Sequence, residues 1–278
     1  MIGYPAADLV ASLPWVAGAA VLVLAVTFVV AKVAGKHSVI DSAWGVLFAA
    51  MAVAAFVRSD GHGDPLRRWL LLALTAVWGL RLAVHIGRRT IGKPEDPRYE
   101  QLLAKGGKHS DLYAILVVYL LQGALAFVVV GPVLVGEYVH GGVWPLVWTG
   151  VALWCVGVFF EAVGDLQMER FRADPAHRGE IMDRGLWRYT RHPNYFGDAC
   201  VWWGIFLVAA SGWPGVLSVI GPIVMTLLLT AGSGVRIMER HMSGRPGWDE
   251  YVARTSRFVP RPPKLRPPAR PARHRTAP

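Results

Sequence analysis

The 278 residues are 54% hydrophobic and only 17% charged, a balance that excludes an ordinary soluble enzyme and points to a membrane protein. A formal charge of +10 would suit nucleic acid, but the lysines and arginines lie between and after apolar runs. Membrane-surface charge explains that distribution, and no nucleic-acid partner is called for.

Seven apolar spans follow in chain order, at about 14–31, 39–57, 69–87, 112–135, 143–164, 195–211 and 213–233. Most approach the roughly 20 residues needed to cross a bilayer, so the expected fold is all-α and integral to the membrane. The first span has no basic leader and no small-residue cleavage site, and reads as a membrane helix rather than a signal. The last two spans are separated only by the tight turn Gly212-Trp213-Pro214. Alternate loops carry 25 and 3 lysines or arginines. The positive-inside rule then sets the N-terminus outside and the C-terminus in the cytoplasm, across the plasma membrane. Residues 1–260 are expected to form one membrane-embedded domain. From Arg261 to Pro278 the chain is mostly Pro and Arg, which cannot bury an apolar face, and a disordered cytoplasmic tail is expected. Cys155 and Cys200 lie inside apolar runs and read as small buried hydrophobes, and nothing resembles a metal site.

Three polar clusters fall on the expected cytoplasmic side. The first ends span five. Glu161, Asp165 and Glu169 are four apart and share one helical face, with Arg172 three further on. Three acids on one face repel unless they point at a polar ligand or at arginines from another segment. A helix end emerging into water accounts for Glu169 and Arg172, but poorly for the deeper Glu161 and Asp165. The second cluster is Arg188-Tyr-Thr-Arg-His-Pro-Asn-Tyr-Phe-Gly-Asp198, at the mouth of span six. Arg188 and Arg191 suit bidentate contact with phosphate or carboxylate. Asn194 both donates and accepts, as an amide ligand requires. Pro193 suits the first turn of a helix, whose N-terminus attracts phosphate. An interfacial anchor is the plainer reading, but a simple aromatic and basic belt does not need His192, Asn194 and Asp198 as well. The third cluster is Arg236, Glu239, Arg240 and His241, followed by Tyr251 and Arg254; a solvated amphipathic helix is its plainer reading. No Gly-x-Gly-x-x-Gly follows a strand, so any nucleotide must be held by helices and loops.

These residues carry a family resemblance. Gly185 to Asp198, followed by Trp202-Trp-Gly204, resembles the signature of the steroid 5-alpha-reductase superfamily, most closely its bacterial branch known only as a domain of unknown function. Ser38 to Gly45, Trp78 to Arg81, Asp96 to Tyr99, Leu121-Gln122 and Arg236 to Pro260 resemble the same branch. The resemblance implies a seven-helix membrane fold that encloses NADPH from the cytoplasmic side. It also implies hydride transfer to a carbon–carbon double bond of a lipid-like, sterol-like or fatty-acyl substrate. By position, Asp165 and Arg172 match cofactor contacts on the fifth helix, and Asn194 and Tyr195 match the pair near the nicotinamide. Arg236 matches a phosphate-contacting arginine, and Asp198 stands where the reductases have a Glu. Glu161 replaces an Asn, and Glu239 falls in place of a His-rich run. With these, Arg188, Tyr189, Arg191, His192 and Tyr251 complete the expected cofactor set. Asp41, Tyr99, Tyr119 and Asp198 are the candidates for the acid, with Tyr195 beside the reacting ring. The alternative resemblance is to the isoprenylcysteine carboxyl methyltransferases, which share the Arg-His-Pro-x-Tyr-x-Gly core of Arg191 to Gly197 and use S-adenosylmethionine.

Overall fold

The computed structural model describes residues 3–232 and 234–264. Among these, every regular element is helical. They are α1 (Ala6–Ala34), α2 (Val39–Arg58), α3 (Pro65–Thr90), α4 (Pro97–Ala104), α5 (Gly107–Val129), α6 (Gly131–Gly136), α7 (Trp144–Ala173), α8 (Pro193–Ala209), α9 (Ile220–Thr230), α10 (Val235–Met242) and α11 (Trp248–Arg254). Among the described residues, six stretches are long and apolar enough to cross a membrane: α1, α2, α3, α5, α7, and Gly215–Met242, which contains α9 and α10. The expected sixth span is α8, whose 17 residues lie at the short end of what covers hydrocarbon. The chain is a multi-pass membrane protein. On α1, Val21, Leu22, Val26 and Val29 are all more than half exposed, as side chains facing lipid must be.

Punctuation residues set the helix ends. Gly35 adopts φ +67°, the left-handed value that glycine takes at low cost, and its N–H closes α1 onto the Ala31 carbonyl. Asp64 caps α3 by accepting from Arg67 N, with Pro65 in the first turn. Asp96 and Pro97 open α4 in the same way, through Arg98 N. Two boundaries differ from the hydropathy reading. α5 stops at Val129 rather than near 135, because Pro132 has no N–H to extend the ladder. α7 runs on to Ala173, because no breaker intervenes before Asp174-Pro175, so Asp165 and Arg172 are helical residues. Within α5, Ile115–Leu120 is a π-turn, a form concentrated at functional sites.

The chain forms two compact units. One comprises Met1–Val158 with Asp198–Leu229, the other Phe159–Gly197 with Thr230–Pro278. The first is held by close helix contact rather than by water expulsion, since lipid is as apolar as the side chains. α2 and α3 meet at Gly45 and Gly79, where a Cβ on Gly79 would stand 2.4 Å from the Gly45 carbonyl oxygen. α7 and α8 meet likewise at Gly150 and Gly204. Phe48, Trp78 and Trp202 fill the space between, fully buried, with ring centroids 4.7 to 5.5 Å apart. In the second unit, Gly185 and Leu186 pack on Gln167 of α7, whose side chain accepts from Leu186 N at 2.9 Å. Of the expected tail, Arg261 N donates to Tyr189 O and Lys264 N to Arg254 O. Its remainder, from residue 265, lies outside the described residues.

Candidate functional site

The motif at the start of α8 is clasped from behind by the chain's closing segment. Thr190 forms an isolated parallel bridge with Ser256, and its hydroxyl donates to Phe258 O at 2.8 Å. Arg191 N donates to Ser256 O at 2.9 Å. The Arg191 guanidinium is buried and already engaged. Nε donates to Glu239 Oε1 at 2.8 Å, Nη2 stands 2.7 Å from the same oxygen, and Nη1 donates to Thr255 O at 2.7 Å. Glu239 also faces Arg257 Nε at 3.3 Å and His192 Nε2 at 3.4 Å. Tyr251, buried, donates to Trp187 O at 2.6 Å, while the Trp187 indole donates to Gly164 O of α7 at 3.0 Å. Arg191, Glu239 and Tyr251 therefore tie the motif to the closing segment, a job that runs of charge in a sequence do not announce.

His192 is buried and stacks on Tyr195, with ring planes 4° apart. Burial pushes its imidazole down to about 4, and Glu239 only partly opposes this. Behind the motif, Pro193 packs on Gly164, where a Cβ would stand 3.1 Å from the proline ring, and Phe196 packs edge-on against Phe160 at 5.1 Å. Asn194 and Tyr195 are half-buried in the first turn of α8. On α7, Glu161 is buried, Asp165 half-buried and Arg172 exposed. Arg188, Tyr189 and Arg236 are exposed. The second unit thus pairs a buried arginine used internally with exposed arginines and a half-buried amide and aromatic. That donor set fits a phosphate-rich dinucleotide.

The other candidates lie in the first unit. Tyr99, buried on α4, donates to Asp41 Oδ1 of α2 at 2.6 Å. Gln122 of α5 reaches the same phenol at 3.5 Å, and Arg98 stands 3.7 Å from Asp41. Burial first, and Asp41 second, push the Tyr99 phenol well above its ordinary value. Tyr119, in the π-turn, instead faces His37 Nδ1 at 3.2 Å. The apolar wall around this pair is Ile40, Ala31, Ala114 and Val118, with Phe28 and Leu102 against it. Asp198 is half-buried on α8. Among the described residues, no group of three His, Cys, Asp or Glu is arranged to hold a metal.

An all-helical, multi-pass membrane protein with a clasped polar motif and a buried phenol bonded to a half-buried carboxylate is the class these features define. The chain belongs to the family described as protein of unknown function DUF1295, whose model matches residues 27–255. It is similar to 3-oxo-5-alpha-steroid 4-dehydrogenase 1 of Bos taurus, at 28% identity over 186 residues. That match covers 62% of this chain and 65% of the bovine protein's length. No solved structure matches.

Proposed function

We propose that the protein is a membrane reductase that uses NADPH to saturate an activated carbon–carbon double bond in a lipid-like, sterol-like or fatty-acyl molecule. The observation that carries this reading is the Tyr99–Asp41 pair, a buried phenol hydrogen-bonded to a carboxylate at 2.6 Å in an apolar wall. A methyl transfer to a carboxylate calls for no general acid. The likeness to a named steroid dehydrogenase supports the same reaction class.

NADPH, when bound, supplies the hydride. The residues that would hold it are Arg172, Arg188 and Arg236 for phosphate, Asp165 and Asn194 for hydroxyl and amide groups, and Tyr195 for the ring face. Arg191, Glu239 and Tyr251 keep the motif tied to the closing segment. Tyr99 serves as the acid that polarises the substrate's carbonyl or delivers the proton. Asp41 orients the phenol, and a proton taken up from solvent would pass through its carboxylate to restore the spent phenolate. The excess of 25 over 3 positive charges supports a cytoplasmic cofactor side, with the N-terminus outside a plasma membrane.

The test is ligand identity with purified protein in detergent. NADPH at a few hundred times its dissociation constant should stabilise the fold by about 3 kcal/mol. S-adenosylmethionine should not, and stabilisation by it alone would establish the methyltransferase reading instead. Tyr99→Phe should lower enone-dependent NADPH oxidation by about 100- to 10,000-fold, the range of a lost general acid, with cofactor affinity retained.

A further inference from the structure

Asp41 and Tyr99 come from different helices, 58 residues apart, and something must hold α2 and α4 in register for a 2.6 Å bond to form. The residues that do so are not in either helix. Glu95, half-buried in the loop before α4, presents its carboxylate to the start of α2. One oxygen accepts from His37 N in a short hydrogen bond. The other accepts from Ser38 N at 3.0 Å and from Asp96 N at 2.9 Å. His37 and Ser38 immediately precede α2, and Asp96 is the cap of α4. A single carboxylate therefore ties the starts of the helices that carry the two halves of the pair. Lys36 bolts the same two loops together from the side, donating to Thr90 O at 2.9 Å and Lys93 O at 3.0 Å.

We infer that Glu95 is a positioning residue for the Tyr99–Asp41 acid: by clamping the N-terminus of α2 to that of α4, it fixes the phenol against its carboxylate. This rests on the reductase reading for its catalytic meaning. The geometry is economical. Asp41 lies three residues beyond Ser38, and Tyr99 three beyond Asp96, so each reacting side chain sits one helical turn from the clamp. A displacement at the clamp passes directly to the pair, with no flexible segment between. Backbone N–H groups at a helix start attract a carboxylate, and charge-assisted bonds of this kind are short and strong. Burial works to raise the Glu95 carboxyl, yet the bonds from Ser38, His37 and Asp96 outweigh it and hold it below its ordinary value. Glu95 is thus ionised and acceptor-only. Its amide analogue would turn an NH2 toward the His37 N–H, or toward those of Ser38 and Asp96.

The test places 3-fluorotyrosine at position 99 and follows its ionisation by fluorine NMR, in detergent and without substrate. In the parent, burial and Asp41 hold the phenol protonated. Glu95→Gln should release it, lowering the phenol pKa by about one unit, the scale of one lost charge neighbour. Asp41→Asn should lower it too. If both act through the one hydrogen bond, the double variant should show no more than the larger single shift. Amide exchange at His37 and Ser38 should quicken in Glu95→Gln while the rest of α2 stays protected. Turnover should fall about 100-fold, the cost of misplacement by a fraction of a bond length, with the KM for NADPH unchanged and partial rescue by Glu95→Asp. An unmoved phenol pKa, or fully additive shifts, overturns the inference and leaves Glu95 a mere cap. Should no enone or alkene be turned over by the parent, the reductase reading fails, while the fluorine titration still decides whether Glu95 holds the pair.

Discussion

Glu137 in the first unit and His192 in the second are held in the same bind by opposite chemistry. Glu137 is fully buried, with Arg68 Nε at 3.4 Å and the Ser59 hydroxyl donating to it at 2.9 Å. His192 is almost as deep, with Glu239 at 3.4 Å. Each has a partner of opposite charge within reach, and each is nonetheless kept neutral. Burial pushes Glu137 up to about 8, against Ser59 and Arg68, and pushes His192 down to about 4, against Glu239. The partners explain why. Arg68 also serves Phe56 O at 2.7 Å and Ser59 Oγ at 3.0 Å, and Glu239 is shared among Arg191, His192 and Arg257. An ion pair overcomes desolvation only when its geometry is undivided. Depth, not proximity of charge, decides the protonation state in both places.

That comparison can be broken or sharpened by four measurements. The largest effect should come from Arg191→Met. It strips Glu239 of its best partner inside a buried network, and should cost about 3–5 kcal/mol in unfolding experiments. A loss under about 1 kcal/mol would show that the clasp is decorative. Arg236→Ala, at an exposed position, should leave the fold intact and weaken NADPH binding by about 1.5–3 kcal/mol, read by titration of the purified variant. A third measurement is the pH dependence of stability. Glu137 titrates near 8 in the fold and near 4.5 when free, so its contribution is complete below pH 4.5 and is lost as the pH rises through 8. His192 titrates near 4 in the fold and near 6.5 when free, so its contribution is present above 6.5 and lost as the pH falls through 4. Each limb should approach about 1.4 kcal/mol per pH unit. Glu137→Gln should flatten the alkaline limb alone and His192→Asn the acid limb alone. The smallest effect should come from Lys32→Ala. The Lys32–Asp111 pair is as short as 2.8 Å, but both side chains are about half exposed, and its loss should cost less than about 1 kcal/mol.

The helices were legible because crossing hydrocarbon demands long apolar runs, and such runs have few other uses. The density of polar groups around Asn194 was legible for the converse reason: so many at the mouth of a span stand out against the apolar run that follows. Asp41 and Tyr99 were each visible as family-like positions, but their bond was not. What stayed hidden was the spending of charges already counted. Arg191 looked available for phosphate, yet its partner Glu239 lies 48 residues away, and only the fold brings the carboxylate to it. Arg67 and Arg68 entered the charge tally as loop cations. In the structure, Arg67 is fully buried, donating to Val139 O at 2.6 Å and to Ser211 Oγ. Glu95 gave little signal, because most of its partners are backbone N–H groups up to 58 residues distant, and every residue except proline has one of those.

The π-turn of α5 gives this span a tolerance to length. A π-turn winds one residue more than an α-turn between the same flanks. Deleting the exposed Leu116 would let Ile115–Leu120 close as ordinary helix, with Gln122 and everything after it keeping their facing. The same deletion at Ala124, where the helix is already regular, has no slack to absorb it. It would swing the rest of the span by about 100° about its axis, the angle of one residue, and turn its lipid side inward. The span therefore carries its own spare residue, placed in the turn that aims Tyr119.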